Sequence, residues 1–248
     1  MSPATRHAGY FSPGETRRRM TPSYTITLDG STYRGSVALL RNSEVVSERT
    51  LGGEDGGMPR AGRGEKLMPA MAECMKEAGI QRGQIGCIVC GAGPGSFTSL
   101  RVAGSVAKGL AVGYGVELYA VSSLVLTVTG ARPTLPAGEY LSVLDAMRGE
   151  FFAARITLRS DQTAIQTEPT ALLSAEELRD LAGAGQAVRV VGPGQPLDLH
   201  PHARGVASLL ESLVEHSPVD LGSWEPDYGR LAEAQVRWEA AHGRPLPR

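Results

Sequence analysis

A glycine-rich turn between a short apolar run and a long helical segment constrains the fold of this chain more than any other feature. Residues 87–90 are apolar and partly β-branched, which favours a strand buried on both faces. Three glycines around Pro94, at positions 91, 93 and 95, permit a tight turn. Residues 99–112 then predict a helix. The order strand, turn, helix is typical of α/β proteins.

Such a turn could bind an anion, because peptide N–H groups converge there at the positive end of a helix dipole. The alternative is that its hydroxyl side chains only cap the helix. The turn is not a Walker loop, since no Gly-Lys-Ser or Gly-Lys-Thr follows it, and Ser96 stands where a Rossmann motif has its third glycine. Both interpretations remain open for Gly93, Gly95, Ser96 and Thr98.

Small residues recur along the predicted helix at every fourth position from 103 to 111, with a glycine between the first two. This stripe would let another backbone approach closely, either a sheet of the same chain or a second protein. It consists of Ala103, Gly104, Ala107 and Ala111.

The run GPGSFTSLR at 93–101, with AKGLA at 107–111, resembles the signature of the bacterial TsaB (YeaZ) family. The resemblance covers Tyr24 to Arg155 and returns in EPDYGR at 225–230, similar to a Pro-x-Tyr-x-Arg tail. Members of this family are partner proteins in making threonylcarbamoyladenosine in tRNA. This chain has Ser99 where the family usually has Gly, and Gly30 in place of Thr.

The resemblance implies a two-lobe α/β fold of the actin-like ATPase (ASKHA) superfamily, with a duplicated mixed β-sheet and flanking helices. Internal similarity fits this fold, because Tyr24–Leu28 and Tyr140–Asp145 each predict a strand followed by a tight turn and a second strand. Prolines and a glycine at 132–138 indicate a linker. The predicted parts are a disordered extension at 1–22, an N-terminal lobe at 23–131, a C-terminal lobe at 138–228, and a C-terminal helix and tail at 229–248.

Two aspartates follow the first strands of the two predicted lobes, Asp29 and Asp145. In the actin-like superfamily such loops face each other across a cleft, where the pair could bind Mg²⁺ and phosphate. The alternative for Asp29 is an Asx turn that holds its own loop.

Two helices are candidates for a docking surface. Residues 65–78 predict an amphipathic helix, and the resemblance implies that it docks, together with the helix after the glycine turn, on the catalytic partner TsaD. The predicted interface consists of Leu67, Met68, Met71, Met75, Arg101, Ala103, Gly104, Ala107 and Ala111.

Charge and residue usage restrict the class of protein. The 25 basic and 26 acidic residues leave a net charge of −1, which argues against a protein that binds nucleic acid by itself. No apolar run approaches the ~20 residues of a membrane span. Three cysteines, an odd number, suit a reducing cytoplasm, so we expect a cytoplasmic protein.

No metal site is expected. Cys87 and Cys90 would point to opposite faces of their strand, and we expect two buried thiols. None of the five histidines shows helical metal spacing, and His200 and His202 predict a solvated loop. The catalytic TsaD paralogues carry a His pair after the strand equivalent to 117–121, whereas this chain has serines there.

These features, with the resemblance, predict a non-catalytic accessory subunit. It would pair with TsaD, and with the ATPase TsaE, to support threonylcarbamoyl transfer to adenosine 37 of tRNA. It would have no cofactor of its own, since ATP and Mg²⁺ would be used by the complex, and would meet tRNA only through the complex. One alternative is a stand-alone ATP-using or peptidase-like enzyme of the same superfamily, and another is a homodimer formed through the same helix.

Overall fold

Two mixed β-sheets with helices packed on their faces form the actin-like two-lobe fold predicted from the sequence. The computed structural model describes residues 24–52, 66–183, 189–229 and 241–243. The predicted extension at 1–22 and most of the predicted tail lie outside the described residues. No helix in the described ranges has the length and apolar character needed to cross a membrane.

The first sheet has the strand order β3-β2-β1-β4-β5. Its first three strands form an antiparallel meander, and β4 and β5 run parallel to β1. The strands are β1 (Tyr24–Asp29), β2 (Ser36–Arg41), β3 (Glu44–Thr50), β4 (Ile85–Gly91) and β5 (Glu117–Val121). Three helices join or follow them, α1 (Leu67–Glu77), α2 (Phe97–Tyr114) and α3 (Ser123–Thr129).

The second sheet has the order β11-β10-β6-β7-β8, and β9 also pairs with β7. Its central hairpin, β6 and β7, repeats the β1 and β2 hairpin of the first sheet, and β10 runs parallel to β6. The strands are β6 (Gly138–Asp145), β7 (Glu150–Leu158), β8 (Ala164–Gln166), β9 (Ala171–Ser174), β10 (Arg189–Gly192) and β11 (Leu197–Asp198). The helices are α4 (Ala175–Gly183), a 3₁₀ helix (Ala203–Ser208) and α5 (Leu210–Glu215).

One apolar core joins the inner faces of the two sheets. It contains Val89 and Tyr119 of the first sheet, Tyr140 and Ile156 of the second, and Leu124 of α3 between them. Burial of each such side chain stabilises the fold by about 1.5–3 kcal/mol. A separate core lies on the other face of the first sheet, where α1 and α2 pack.

Local sequence signals correctly predict several elements. Asn42 adopts φ 55° in the tight turn between β2 and β3. At the start of α4, Ser174 N donates to Glu177 Oε2 (2.7 Å) and Glu177 N donates to Ser174 Oγ (3.2 Å), which is the capping box that Ser174 and a Glu three residues later predict. Cys87 and Cys90 are buried in different cores on opposite faces of β4, as the alternation of a strand requires.

Helix α2 is longer than predicted. It begins at Phe97, two residues before the predicted start, and ends at Tyr114. Gly115 then adopts φ 67°, and its N–H closes the last turn on the carbonyls of Ala111 and Val112. The left-handed glycine explains why the helix stops there rather than at Gly113.

The prediction of a solvated His202 is wrong. Its side chain is 6% exposed and caps the 3₁₀ helix, where Nδ1 accepts hydrogen bonds from Arg204 N (3.1 Å) and Arg204 Nε (2.9 Å). Its Nε2 lies 3.1 Å from Thr50 Oγ1 of β3. Burial, together with the nearby Arg204 and Arg132 cations, lowers the pKa of His202 to about 3. The ring is therefore a neutral link between the two lobes.

Candidate functional site

Asp29 ends β1 inside the protein and does not face a cleft. Its carboxylate is fully buried. Oδ1 accepts from Ser31 N (3.0 Å) and Ser31 Oγ (2.7 Å), and Oδ2 accepts from Ser123 Oγ (2.6 Å). Burial raises the pKa of Asp29, and the hydrogen bonds from Ser123 and Ser31 offset part of that rise. This geometry matches the Asx-turn interpretation, and it leaves the carboxylate no route to a ligand in this conformation.

The glycine turn is attached to the same loop. Gly93 N donates to Ser123 Oγ (3.1 Å), Ser96 N donates to Ser31 O (2.7 Å), and Ala92 N donates to Val121 O (2.7 Å). Gly95 adopts φ 156°, and a Cβ there would overlap Ser31 O. Three backbone N–H groups of the turn, those of Ala92, Gly93 and Ser96, are thus used within the protein. Toward the helix, Ser96 Oγ donates to Ser99 Oγ (3.2 Å), and Thr98 is exposed.

Asp145 lies in a different environment from Asp29. It ends β6 at the surface, and its Oδ1 accepts a hydrogen bond from Met147 N (2.7 Å). No hydrogen bond links the two aspartates within the described ranges, and no group of three or more His, Cys, Asp or Glu there is placed to hold a metal ion. The predicted facing pair is corrected, because only one of the two carboxylates reaches solvent.

Most of the predicted docking residues belong to the core of the first lobe. Helices α1 and α2 turn these side chains toward β1, β2 and β4, and so they cannot contact a partner in this conformation. This corrects the assignment for Leu67 (2% exposed), Met71 (5%), Ala103 (0%), Ala107 (0%) and Ala111 (1%), and Gly104 is buried as well.

A second line of small residues on α2 is accessible instead. Ser105, Gly109 and Gly113 are exposed, and a Cβ at either glycine would meet no heavy atom within 4 Å. Arg101 begins the same i, i+4 line. From the predicted set, Met68 (44% exposed), the half-buried Met75 and Arg101 also remain accessible.

Residues 219–229, here called the strap, cross the first lobe outside the sheets. Val219 N donates to Leu118 O (2.9 Å), and Trp224 lies beside α2 with Lys108 Nζ 5.8 Å from its ring centroid. Pro226 packs on Gly104, where an added Cβ would come within 3.0 Å of its Cγ. The sequence predicts that the tail, which begins with the family-like run at 225–230, packs back on the first lobe, but it gives no signal that Pro226 contacts Gly104.

Comparisons with known proteins give matches to two related kinds, TsaD and TsaB. Residues 60–189 match the family model described as TsaD: tRNA N6-adenosine threonylcarbamoyltransferase. The tRNA threonylcarbamoyladenosine biosynthesis protein TsaB of Bacillus subtilis is 24% identical over 86% of this chain and 96% of its own length. The protein of the same name from Escherichia coli is 30% identical over 52% of this chain and 53% of its own length.

A solved structure has the same fold along its whole length. YeaZ from Pseudomonas aeruginosa superposes with a TM-score of 0.67 and 25% identity, covering 83% of this chain and 99% of that structure. A second structure from that organism, described as similar to peptidase YEAZ, has a TM-score of 0.71 and 26% identity. The match covers 84% of this chain and 100% of that structure.

Proposed function

We propose that this chain, which belongs to the TsaB (YeaZ) family, takes part in the biosynthesis of threonylcarbamoyladenosine in tRNA as a non-catalytic subunit that binds and supports TsaD. ATP and Mg²⁺ would act in the complex, which would include the ATPase TsaE, and tRNA would be met only there. The observation that carries the proposal is the complete burial of Asp29.

The first loop serves the fold rather than a ligand. In the actin-like arrangement this loop is the expected place for phosphate and metal contacts, yet Asp29 is fully buried and accepts three internal hydrogen bonds. A metal-binding carboxylate needs an open path for the ion and its waters. A rigid first lobe, built around this buried carboxylate, suits a protein that presents a surface to a partner.

The outer face of α1 and α2 supplies that surface. The two helices lie side by side, since Leu67 of α1 and Leu110 of α2 line the same interior gap. On the solvent side, Met68 (44% exposed) and Val112 (69% exposed) are apolar. The glycines at 109 and 113 leave room for another backbone to approach. An apolar face with small residues is suited to packing against a helix of another protein.

Gly109→Trp tests the surface without disturbing the core. We expect the variant to fold with a melting temperature near that of the wild type, because a side chain at 109 projects into open space. It should fail to co-purify with the TsaD of the same organism. Leu181→Arg, a substitution at an exposed position on α4, is the matched control and should retain the complex. A Gly109→Trp protein that pairs with TsaD as well as the control would refute this surface.

The modification itself provides the second readout. The wild-type gene should restore threonylcarbamoyladenosine in the tRNA of a bacterial strain that lacks its own TsaB, and Gly109→Trp should not. ATP turnover by the isolated chain, without TsaD, would contradict the accessory role and favour the stand-alone enzyme.

A further inference from the structure

The carboxyl ends of the parallel strands in both sheets lie near the strap. In the first sheet β1, β4 and β5 end at Asp29, Gly91 and Val121. In the second sheet β6 ends at Asp145, beside the start of β7. Ligands of open α/β sheets bind in the crevice outside these ends. Whatever fills this crevice therefore decides whether a ligand can bind there.

On the first-lobe side, Asp227 and Tyr228 fit against the glycine turn. Asp227 N donates to Ala92 O (2.7 Å), and a Cβ at Gly93 would overlap Asp227 O. The rings of Tyr228 and Phe97 have centroids 4.6 Å apart with an interplanar angle of 48°. A backbone hydrogen bond, a close backbone approach and an aromatic pair fix this part of the strap.

On the second-lobe side, the next residue reaches the sheet. Gly229 adopts φ 66°, and a Cβ there would overlap the ring of Phe152. Phe152 is 3% exposed and pairs with Leu144 near the end of β6. Three consecutive residues, 227–229, thus lead from the end of the first sheet to the end of the second.

The upstream part of the strap limits how far this segment can move. Pro226 is buried in the notch that Gly104 leaves on α2, and Val219 is tied to β5 by its backbone. A tethered segment has an effective concentration on the order of millimolar, so a free ligand competes with it at a disadvantage.

We propose that residues 226–229 are a built-in occupant of the crevice between the lobes and hold the two lobes in one closed arrangement. In a two-lobe enzyme a bound ligand bridges the lobes, and here the chain's own backbone takes that place. This inference does not depend on the proposed partner. It implies that the protein presents a preformed shape and does not open and close around a small molecule.

Hydrogen exchange of the full-length chain, read by mass spectrometry, tests this inference. Gly229→Val should strain the left-handed backbone and displace Phe152, and Tyr228→Ala removes the aromatic pair more gently. We expect exchange to become about tenfold faster or more in residues 92–97 and in 150–153 together. Gly222→Ala, in the same strap but with only ordinary contacts, should leave both peptides unchanged.

Two results would overturn the inference. One is faster exchange that is confined to the strap, or to the strap and one lobe, in a folded Tyr228→Ala protein, because the strap would then not bridge the lobes. The other is protection of both peptides by Mg-ATP in the wild type without any change in the strap, because an occupied crevice has no room for the nucleotide. We expect millimolar Mg-ATP to change neither peptide.

Discussion

Ser123 at the start of α3 donates a 2.6 Å hydrogen bond from Oγ to Oδ2 of Asp29, 94 residues earlier in the chain. The same Oγ accepts the N–H of Gly93 at 3.1 Å. One hydroxyl thereby ties together the ends of β1, β4 and β5. The carboxylate is the centre of this network, and its burial makes the stability of the fold depend on its protonation.

Substitution of Asp29 separates charge from hydrogen bonding. Asp29→Ala leaves three donors of Ser31 and Ser123 without an acceptor, and we expect it to lower the free energy of unfolding by more than about 2 kcal/mol. Asp29→Asn keeps the shape. Since the folded pKa is raised, the wild type loses stability as pH rises through that pKa, and Asn removes this loss. The free energy of unfolding, measured with urea between pH 4 and 8, should therefore increase for Asp29→Asn relative to the wild type as pH rises. A stability difference that is constant with pH would show that the pKa of Asp29 is not raised in the folded protein.

His202→Asn should make stability less sensitive to acid. The folded pKa of about 3 lies below the ordinary value near 6.5, so the unfolded chain binds the extra proton between these limits. The stability supplied by the neutral ring is complete above pH 6.5 and is lost as pH falls, by about 1.4 kcal/mol per unit. Asn keeps an acceptor for Arg204 N, and it cannot charge. Between pH 7 and pH 4, chemical denaturation should show the free energy of unfolding of the variant rising relative to that of the wild type. A difference that does not change with pH would contradict the lowered pKa of His202.

Two glycine-to-alanine substitutions should have opposite effects. At Gly30 the new Cβ would lie 2.8 Å from Ala103 Cβ and 3.0 Å from Ser99 O, atoms that cannot swing away. We expect a loss of about 1–3 kcal/mol. At Gly109 the Cβ enters open space on a helix, and alanine should raise stability by up to about 1 kcal/mol. Thermal melting of both proteins measures the difference, and equal shifts would show that α2 does not pack closely on the first loop.

The three thiols should be unreactive in the folded protein. Cys74, Cys87 and Cys90 are free and buried. Burial raises the pKa of Cys87 to about 11 and also raises the pKa of the other two thiols. Because the thiolate is the reactive form, a thiol reagent at pH 8 should label no cysteine in the native chain and all three in denaturant. Rapid labelling of one native thiol would place that cysteine at the surface.

The strand, turn and helix around the glycines, the β2–β3 hairpin and the capping box at Ser174 were predictable because each depends on residues a few positions apart. Local propensity and periodicity determine such elements. The two-lobe fold could also be predicted, from the family-like run at 93–101 and the repeated strand pattern.

Helix α2 shows what the spacing of residues along a helix cannot predict. It carries small residues on two sides, Ala103 and Ala107 on one and Ser105 and Gly109 on the other. Both stripes have the same spacing, and only packing against the sheet decides that the first is core and the second is surface.

Contacts between distant positions were likewise decided by the tertiary structure. Asp29 is bonded to Ser123 and His202 lies beside a residue of β3. The strap contacts Gly104 and Phe152, which belong to different lobes. The sequence alone determined the secondary elements and the family resemblance. Which polar groups are removed from water, and which faces stay open to a partner, depended on long-range packing, because burial belongs to the assembled chain and not to any short stretch of it.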